Sequence, residues 1–178
     1  TARPTYYGAC LALSAIYADH WNLPFRLGRI QKTGPVLGSG RVTYYAYCKA
    51  VALEERITAL RAAGQVDEWI LYLDSDALIR EQLTDFRELL WQLDPETRPG
   101  GNTHLVIARE SRINNKVLPH PFPINTGVIF VRTSEWSRQF MRRWQHAAVN
   151  ETLCAAFRHG WPGEQGCLHA LLSDLSAK

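Results

Sequence analysis

Glu68-Trp69-Ile70-Leu71-Tyr72-Leu73-Asp74-Ser75-Asp76-Ala77-Leu78-Ile79 is an apolar run that ends on two carboxylates spaced i, i+2. Apolar residues without alternation, from Trp69 to Leu73, read as a strand buried on both faces, as in the middle of an α/β sheet. A buried helical segment is the competing reading; the run is short, and Tyr, Trp and Ile favour the strand. If the chain stays extended past Leu73, Asp74 and Asp76 project to the same side. They then converge at the carboxyl end of a central strand, where open α/β sheets place their ligands. Two carboxylates held close repel, so the pair asks for a cation or a shared proton. Mg²⁺ or Mn²⁺ is the natural partner of such hard oxygen donors. The plainer alternative is a solvated strand-to-loop turn, because Asp-Ser-Asp is ordinary loop composition.

The frame around this stretch is that of a globular domain. A chain of 178 residues, 46% hydrophobic and 21% charged, has the material for one core, so residues 1–178 are read as one domain. A formal charge of +3, spread over scattered Lys and Arg, argues against nucleic acid as a partner. The one dense basic cluster, Arg138, Arg142 and Arg143, reads as the solvated face of a helix. No apolar run is long enough to cross a bilayer, and no signal peptide is visible. The chain opens on Thr1-Ala2-Arg3 without Met. The expectation is therefore a fragment or trimmed domain, with room for a membrane anchor outside it. Cys10, Cys48, Cys154 and Cys167 show no C-x-x-C spacing, which disfavours zinc and thioredoxin-type chemistry. They read as small buried hydrophobes, with a disulfide as the open alternative. Asn150-Glu151-Thr152 is a glycosylation sequon of the kind expected by chance.

In chain order, Tyr7 to Trp21 carries a helical stripe of Cys10, Leu13, Ile16, Tyr17 and His20, ended by Asn22 and Pro24. A short strand is expected over Phe25 to Ile30, then a loop through Gly34-Pro35 and Gly38-Ser39-Gly40. A helix from about Val42 to Ala63 stops at Gly64. Thr84 is the expected N-cap of a short helix that ends at Asp94-Pro95. His104 to Ala108 reads as a strand, and Ser111 to Pro123 as a long surface loop. Asn125-Thr126-Gly127 reads as a turn leading into a buried strand over Val128 to Val131. Ser134 caps a helix striped by Trp136, Phe140 and Trp144. Trp161-Pro162-Gly163 is a turn before a last helix from Glu164 to Leu172. Helices alternating with apolar strands predict a mainly parallel central sheet flanked by helices, with Trp69 to Leu73 at its centre.

Three segments in this order carry a resemblance. They are Trp69 to Ile79; Ile124-Asn125-Thr126-Gly127-Val128-Ile129-Phe130-Val131-Arg132-Thr133-Ser134-Glu135-Trp136-Ser137; and Glu164-Gln165-Gly166-Cys167-Leu168. Upstream, the helix ending Tyr17-Ala18-Asp19-His20 and the stretch from Tyr45 to Leu53 with Lys49 fit the same pattern. The chain resembles the family of plant xyloglucan α-xylosyltransferases and fungal mannan-type α-galactosyl- and α-mannosyltransferases. That resemblance implies the GT-A fold, a UDP- or GDP-sugar donor, a glycan acceptor, Mn²⁺ or Mg²⁺, and retention of configuration. In a eukaryote it implies the Golgi lumen or its membrane.

The resemblance also implies roles. Asp74 and Asp76 would hold the metal, and Ser75 would touch the ribose, with a turn residue as its plain reading. Lys49 would contact a phosphate, against a solvated helix lysine. Asn125, Thr126 and Gly127 would contact the donor sugar, Gln165 would lie near the anomeric carbon, and Glu164 would bond sugar hydroxyls or simply meet the helix dipole. Three departures stand against this. The family's first strand has no counterpart here. Gly163-Glu164-Gln165 has one acid where many members have two. The family's downstream metal-binding histidine is not reached before Lys178, and His169 reads as a structural or surface histidine rather than that ligand. The fold is thus expected to be incomplete at both ends. Two other classes remain: a non-catalytic glycosyltransferase-like module, and a D-x-D phosphatase, which wants Thr or Val where this chain has Leu78.

Overall fold

A computed structural model describes residues 5–28, 45–109, 124–158 and 163–176. The loop readings over 34–40 and 111–123 lie outside the described residues, as do Ile30, Val42 and Trp161. No helix of the described residues is long and apolar enough to cross a membrane.

Helix α1 spans Tyr6–His20, with the Thr5 hydroxyl accepting from the Gly8 amide at its start. It ends where Asn22 takes a left-handed φ of 50° and Pro24 follows. Residues 25–28 form no strand. A single 3₁₀ turn, Tyr45–Tyr47, leads into α2, Cys48–Ala62. Gly64, at φ 76°, closes it, with the Gln65 amide donating back to the Leu60 carbonyl. Strand β1 spans Trp69–Leu73. Helix α3, Phe86–Leu93, is capped by Asp85, one residue past the expected Thr84. The Thr84 carbonyl instead accepts from the Tyr17 hydroxyl, which pins α1 to this corner.

Strands β2, Leu105–Arg109, and β3, Ile124–Arg132, complete the sheet, in the order β1-β3-β2. Both pairings are antiparallel, with Tyr72 opposite Ile129 and Ile107 opposite Ile129 across the other edge of β3. This corrects two expectations. The sheet is not parallel, and among the described residues β1 lies at its edge while β3 is central. The apolar runs arise because both faces of the sheet are covered, and two-sided burial carries no information on strand direction. Ile70, Tyr72, Leu105 and Ile107 face the core formed with α2 and the last two helices. Trp69, Leu71, Val106 and Phe130 face α1 and α3.

Helix α4, Glu135–Asn150, begins at Ser134, whose hydroxyl accepts from the Ser137 amide as a capping serine should. Its stripe buries Phe140 and Trp144, while Trp136 stays partly exposed and stacks between His104 and Phe140. Arg142 is exposed, as a solvated face predicts, whereas Arg138 and Arg143 are half-buried in ion pairs with Glu135 and with Glu151 and Asp174. A 3₁₀ stretch, Thr152–Phe157, precedes α5, Gly163–Ser176. Cys154 and Cys167 are joined by a disulfide across these two elements. The reading of all four cysteines as unpaired hydrophobes is thus corrected for two; Cys10 is a buried thiol and Cys48 a half-buried one. The pairing needs a 3₁₀ stretch to lie against a helix, and spacing alone does not show that.

Candidate functional site

Four elements deliver side chains to one point at the carboxyl end of β1. Lys49, one residue into α2, is only 4% exposed. Its ammonium lies 3.2 Å from Asp74 Oδ2 and 3.1 Å from Glu164 Oε1. It also donates to the Thr126 carbonyl at 3.2 Å and to Thr126 Oγ1 at 3.3 Å. Thr126, in turn, donates its hydroxyl to Glu164 Oε1 at 2.9 Å and its amide to Gln165 Oε1 at 3.2 Å. A lysine taken this far from water must be paired; here its hydrogen-bond partners are oxygens, and its ammonium lies 5.5 Å over the Tyr72 ring. The reading of Lys49 as a solvated helix lysine is therefore corrected.

Asp74 is held from two sides. Tyr72 donates its hydroxyl to Asp74 Oδ1 at 2.7 Å, and Lys49 takes Oδ2. Burial pushes the Tyr72 phenol upward first, and the Asp74 carboxylate pushes it the same way. The phenol is thus a fixed donor. The Asp74 amide donates to the Gly127 carbonyl at 2.8 Å, which registers the end of β1 on the start of β3. Gly127 is needed there for space: a Cβ would lie 2.9 Å from Asn125 Oδ1 and 3.4 Å from Asp74 Oδ2. Asn125 accepts from the Gly127 amide through Oδ1 at 2.7 Å. Asn125, Thr126 and Gly127 lie inside β3 rather than in a turn before it, and the register of β2 shifts opposite them, between Ile107 and Ala108.

The chain does not stay extended past Leu73. Ala77 donates its amide to the Asp74 carbonyl at 2.9 Å, so Asp74-Ser75-Asp76-Ala77 is a β-turn. Asp74 is half-buried, while Ser75 and Asp76 are exposed. The Asp76 carbonyl accepts from the Tyr6 hydroxyl at 3.1 Å, which ties the amino end of α1 to the turn. Alternation along a strand therefore does not set the geometry of the two carboxylates; the turn does.

At the other wall, α5 opens on the buried Glu164 and the half-buried Gln165. Trp144 donates its indole N–H to the Glu164 carbonyl at 3.0 Å, and Tyr47 reaches the Gly163 carbonyl at 3.4 Å. His169 lies further along α5 and is half-buried. Sequence reasoning missed Tyr72 and Trp144. For Tyr72 the signal was present, since it stands two residues before Asp74, on the same face of the strand. For Trp144 no local signal exists.

Lys49 is outnumbered by its carboxylate partners: Asp74 and Glu164 stand against one ammonium that is already saturated, and the exposed Asp76 follows in the turn. A diphosphate brought here needs further positive charge. Among the described residues, no cluster of three or more His, Cys, Asp and Glu is arranged to hold a metal. The donor set does not fit an all-protein cage. A hard ion held here would have one or two carboxylates and would take its other ligands from phosphate oxygens and water, the usual arrangement for Mg²⁺. A cavity of about 530 Å³ elsewhere, along β2 under His104 and Trp136, is lined mainly by apolar groups and holds none of these residues.

No family model matches the chain, and no curated protein matches it. One solved structure that does is the crystal structure of a glycosyltransferase involved in the glycosylation of the major capsid of PBCV-1. It aligns with a TM-score of 0.59 over 92% of this chain and 67% of its own, at 16% identity. The chain shares that protein's fold. At this identity the likeness speaks to architecture, and the plant and fungal family named above is not shown by it.

Proposed function

We propose that the chain is the donor-binding domain of a metal-dependent, retaining glycosyltransferase that moves a sugar from a nucleotide diphosphate to a glycan acceptor. The observation that carries this reading is the meeting of Lys49, Asp74, Thr126 and Glu164 from four elements, with an excess of carboxylate beside an exposed Asp76. The shared fold favours it over the D-x-D phosphatase. Mn²⁺ or Mg²⁺ bound at Asp76 and Asp74 would offset the charge on the diphosphate leaving group as a Lewis acid.

The chain's own residues do the rest. Lys49 keeps Asp74, Thr126 and Glu164 in register. Gly127 lets Asn125 and Asp74 pack closely on the β3 backbone, and Gln165 sets its amide beside Thr126, where Asn125, Thr126 and Gln165 would meet the sugar. Ser75, exposed in the turn, would be the residue that meets the ribose. Glu164 is committed to Lys49 and Thr126, so it acts through the shape and charge of the pocket rather than as a nucleophile. Retention then proceeds by departure and attack on the same face of the sugar. The buried disulfide supports an oxidising compartment, in a eukaryote the Golgi lumen or its membrane.

One observation favours the second reading, a non-catalytic module. Both oxygens of Asp74 already have partners, so the network is complete without a ligand. Nucleotide release from a panel of UDP- and GDP-sugars, with and without glycan acceptors and Mn²⁺, separates the two. Acceptor-stimulated, Mn²⁺-dependent release supports the enzyme; nucleotide-sugar binding without turnover supports the module.

A further inference from the structure

We propose that the Cys154–Cys167 disulfide is a positioning device for the transfer site, holding the first turn of α5 so that Glu164 and Gln165 meet Lys49 and Thr126. The proposal rests on the reading of that site as a transfer centre. Cys167 follows Glu164 by three residues, which is close to one helical turn, so the bond enters α5 directly beneath the site residues. Both cysteines are fully buried, and their Cα atoms are 4.8 Å apart.

The same surface is tight between the crosslinked elements. A Cβ at Gly166 would lie 2.6 Å from Phe157 Cδ1, so the 3₁₀ stretch touches α5 backbone within its first turn. On the backbone of that turn the described ties are the Trp144 bond to the Glu164 carbonyl at 3.0 Å and the long Tyr47 bond to the Gly163 carbonyl at 3.4 Å; its side chains are held by Lys49 and Thr126. Against these stands a demanding task. Glu164 Oε1 must sit within reach of both Lys49 Nζ and Thr126 Oγ1 in a place nearly closed to water. A shift of about 1 Å at such a point is enough to cost about a hundredfold in rate. A covalent link one turn away limits that shift.

The test compares the oxidised protein, the dithiothreitol-reduced protein, and the Cys154→Ala/Cys167→Ala variant. On reduction the S–S bond breaks, each sulfur takes a proton, and dithiothreitol becomes its cyclic disulfide. Two readouts are followed. The first is amide exchange at residues 167–170, whose helical bonds run to carbonyls 163–166, and at Thr126, which donates to Gln165. Residues 90–93 of α3, which packs in the separate core with Tyr17, are the internal control. The second is donor turnover at saturating nucleotide sugar.

Loss of the bond is expected to speed exchange at 167–170 and Thr126 by about tenfold or more while 90–93 stay unchanged. It is expected to lower kcat by about tenfold to a hundredfold with the donor KM within about twofold. Unchanged exchange at both places, or free thiols at Cys154 and Cys167 in the native protein by mass spectrometry, overturns the proposal. If the variant does not fold, the reduced wild-type chain, which keeps both side chains, decides. A protein with no turnover at all fails the transfer reading alone, and the exchange readout still decides whether the bond positions the turn.

Discussion

Lys49 and Glu164 form an ion pair at 3.1 Å, with side chains only 4% and 9% exposed. Neither charge has access to bulk water, so each is tolerable only through the other and through Thr126. Lys49→Met is expected to destabilise the protein by about 3–5 kcal/mol, because it leaves Glu164 buried without a counter-charge. Lys49→Met/Glu164→Gln is expected to recover a large part of that loss. Urea unfolding at constant m-value measures both. Equal losses in the single and double variants would show that the pair is not coupled.

Gly127→Ala is expected to fold and yet bind ligand poorly. Its new Cβ meets Asn125 Oδ1 at 2.9 Å and Asp74 Oδ2 at 3.4 Å, both ends of side chains rather than backbone. The strand can keep its register while the two side chains move. Gly166→Ala is the contrast, because its Cβ meets a packed Phe157 ring at 2.6 Å. That overpacking is expected to cost about 1–3 kcal/mol of stability. Thermal unfolding and nucleotide titration of the two variants should therefore give opposite profiles.

Acid should unfold the protein in two stages. Burial, aided by Arg132, holds His104 below its ordinary value of 6.5. A depressed folded value gives stability that is complete above about pH 6.5 and lost as pH falls through the folded value. Lower down, Arg138 holds Glu135 at about 2, from an ordinary 4.5. Asp67 is also held low, the Gly100 amide and Arg132 outweighing its burial. These carboxylates contribute fully above their ordinary values near 4, and their share fades as pH falls towards about 2. His104→Gln should remove the upper stage and leave the lower one. A stability profile from pH 8 to pH 3 that is the same with and without His104 would contradict this.

Breaking the Cys154–Cys167 crosslink should cost about 3 kcal/mol of global stability, the loop-entropy value for a closure of this size. Chemical denaturation with and without reductant is the measurement.

The sequence carried the elements better than their arrangement. Helix stops at Asn22 and Gly64 and the cap at Ser134 were legible because each is a local backbone requirement. So was a strand over Trp69 to Leu73 with carboxylates after it, though its residues are half-buried at the sheet edge rather than buried on both faces. Strand direction was not legible, because Ile70 and Tyr72 are apolar for the helices above them and Trp69 and Leu71 for those below. Nor was the turn at Asp74, whose Ala77 amide bond competes with continued extension. Lys49 stood out in the sequence, but its burial depends on Glu164, more than a hundred residues away. No periodicity or spacing records a contact of that range.

The central claim is that Asp74 and Asp76 hold a nucleoside diphosphate through a divalent ion. Isothermal calorimetry of UDP and GDP, with and without Mn²⁺, on the wild-type chain and Asp76→Ala tests it most directly. Asp76 is the right position because it is exposed and its carboxylate lies outside the Lys49 network, so its loss should spare the fold. The account predicts that one nucleotide binds only with Mn²⁺ and that Asp76→Ala weakens this binding by about tenfold or more, as loss of one charged contact implies. Binding that ignores Mn²⁺ and survives Asp76→Ala would contradict it.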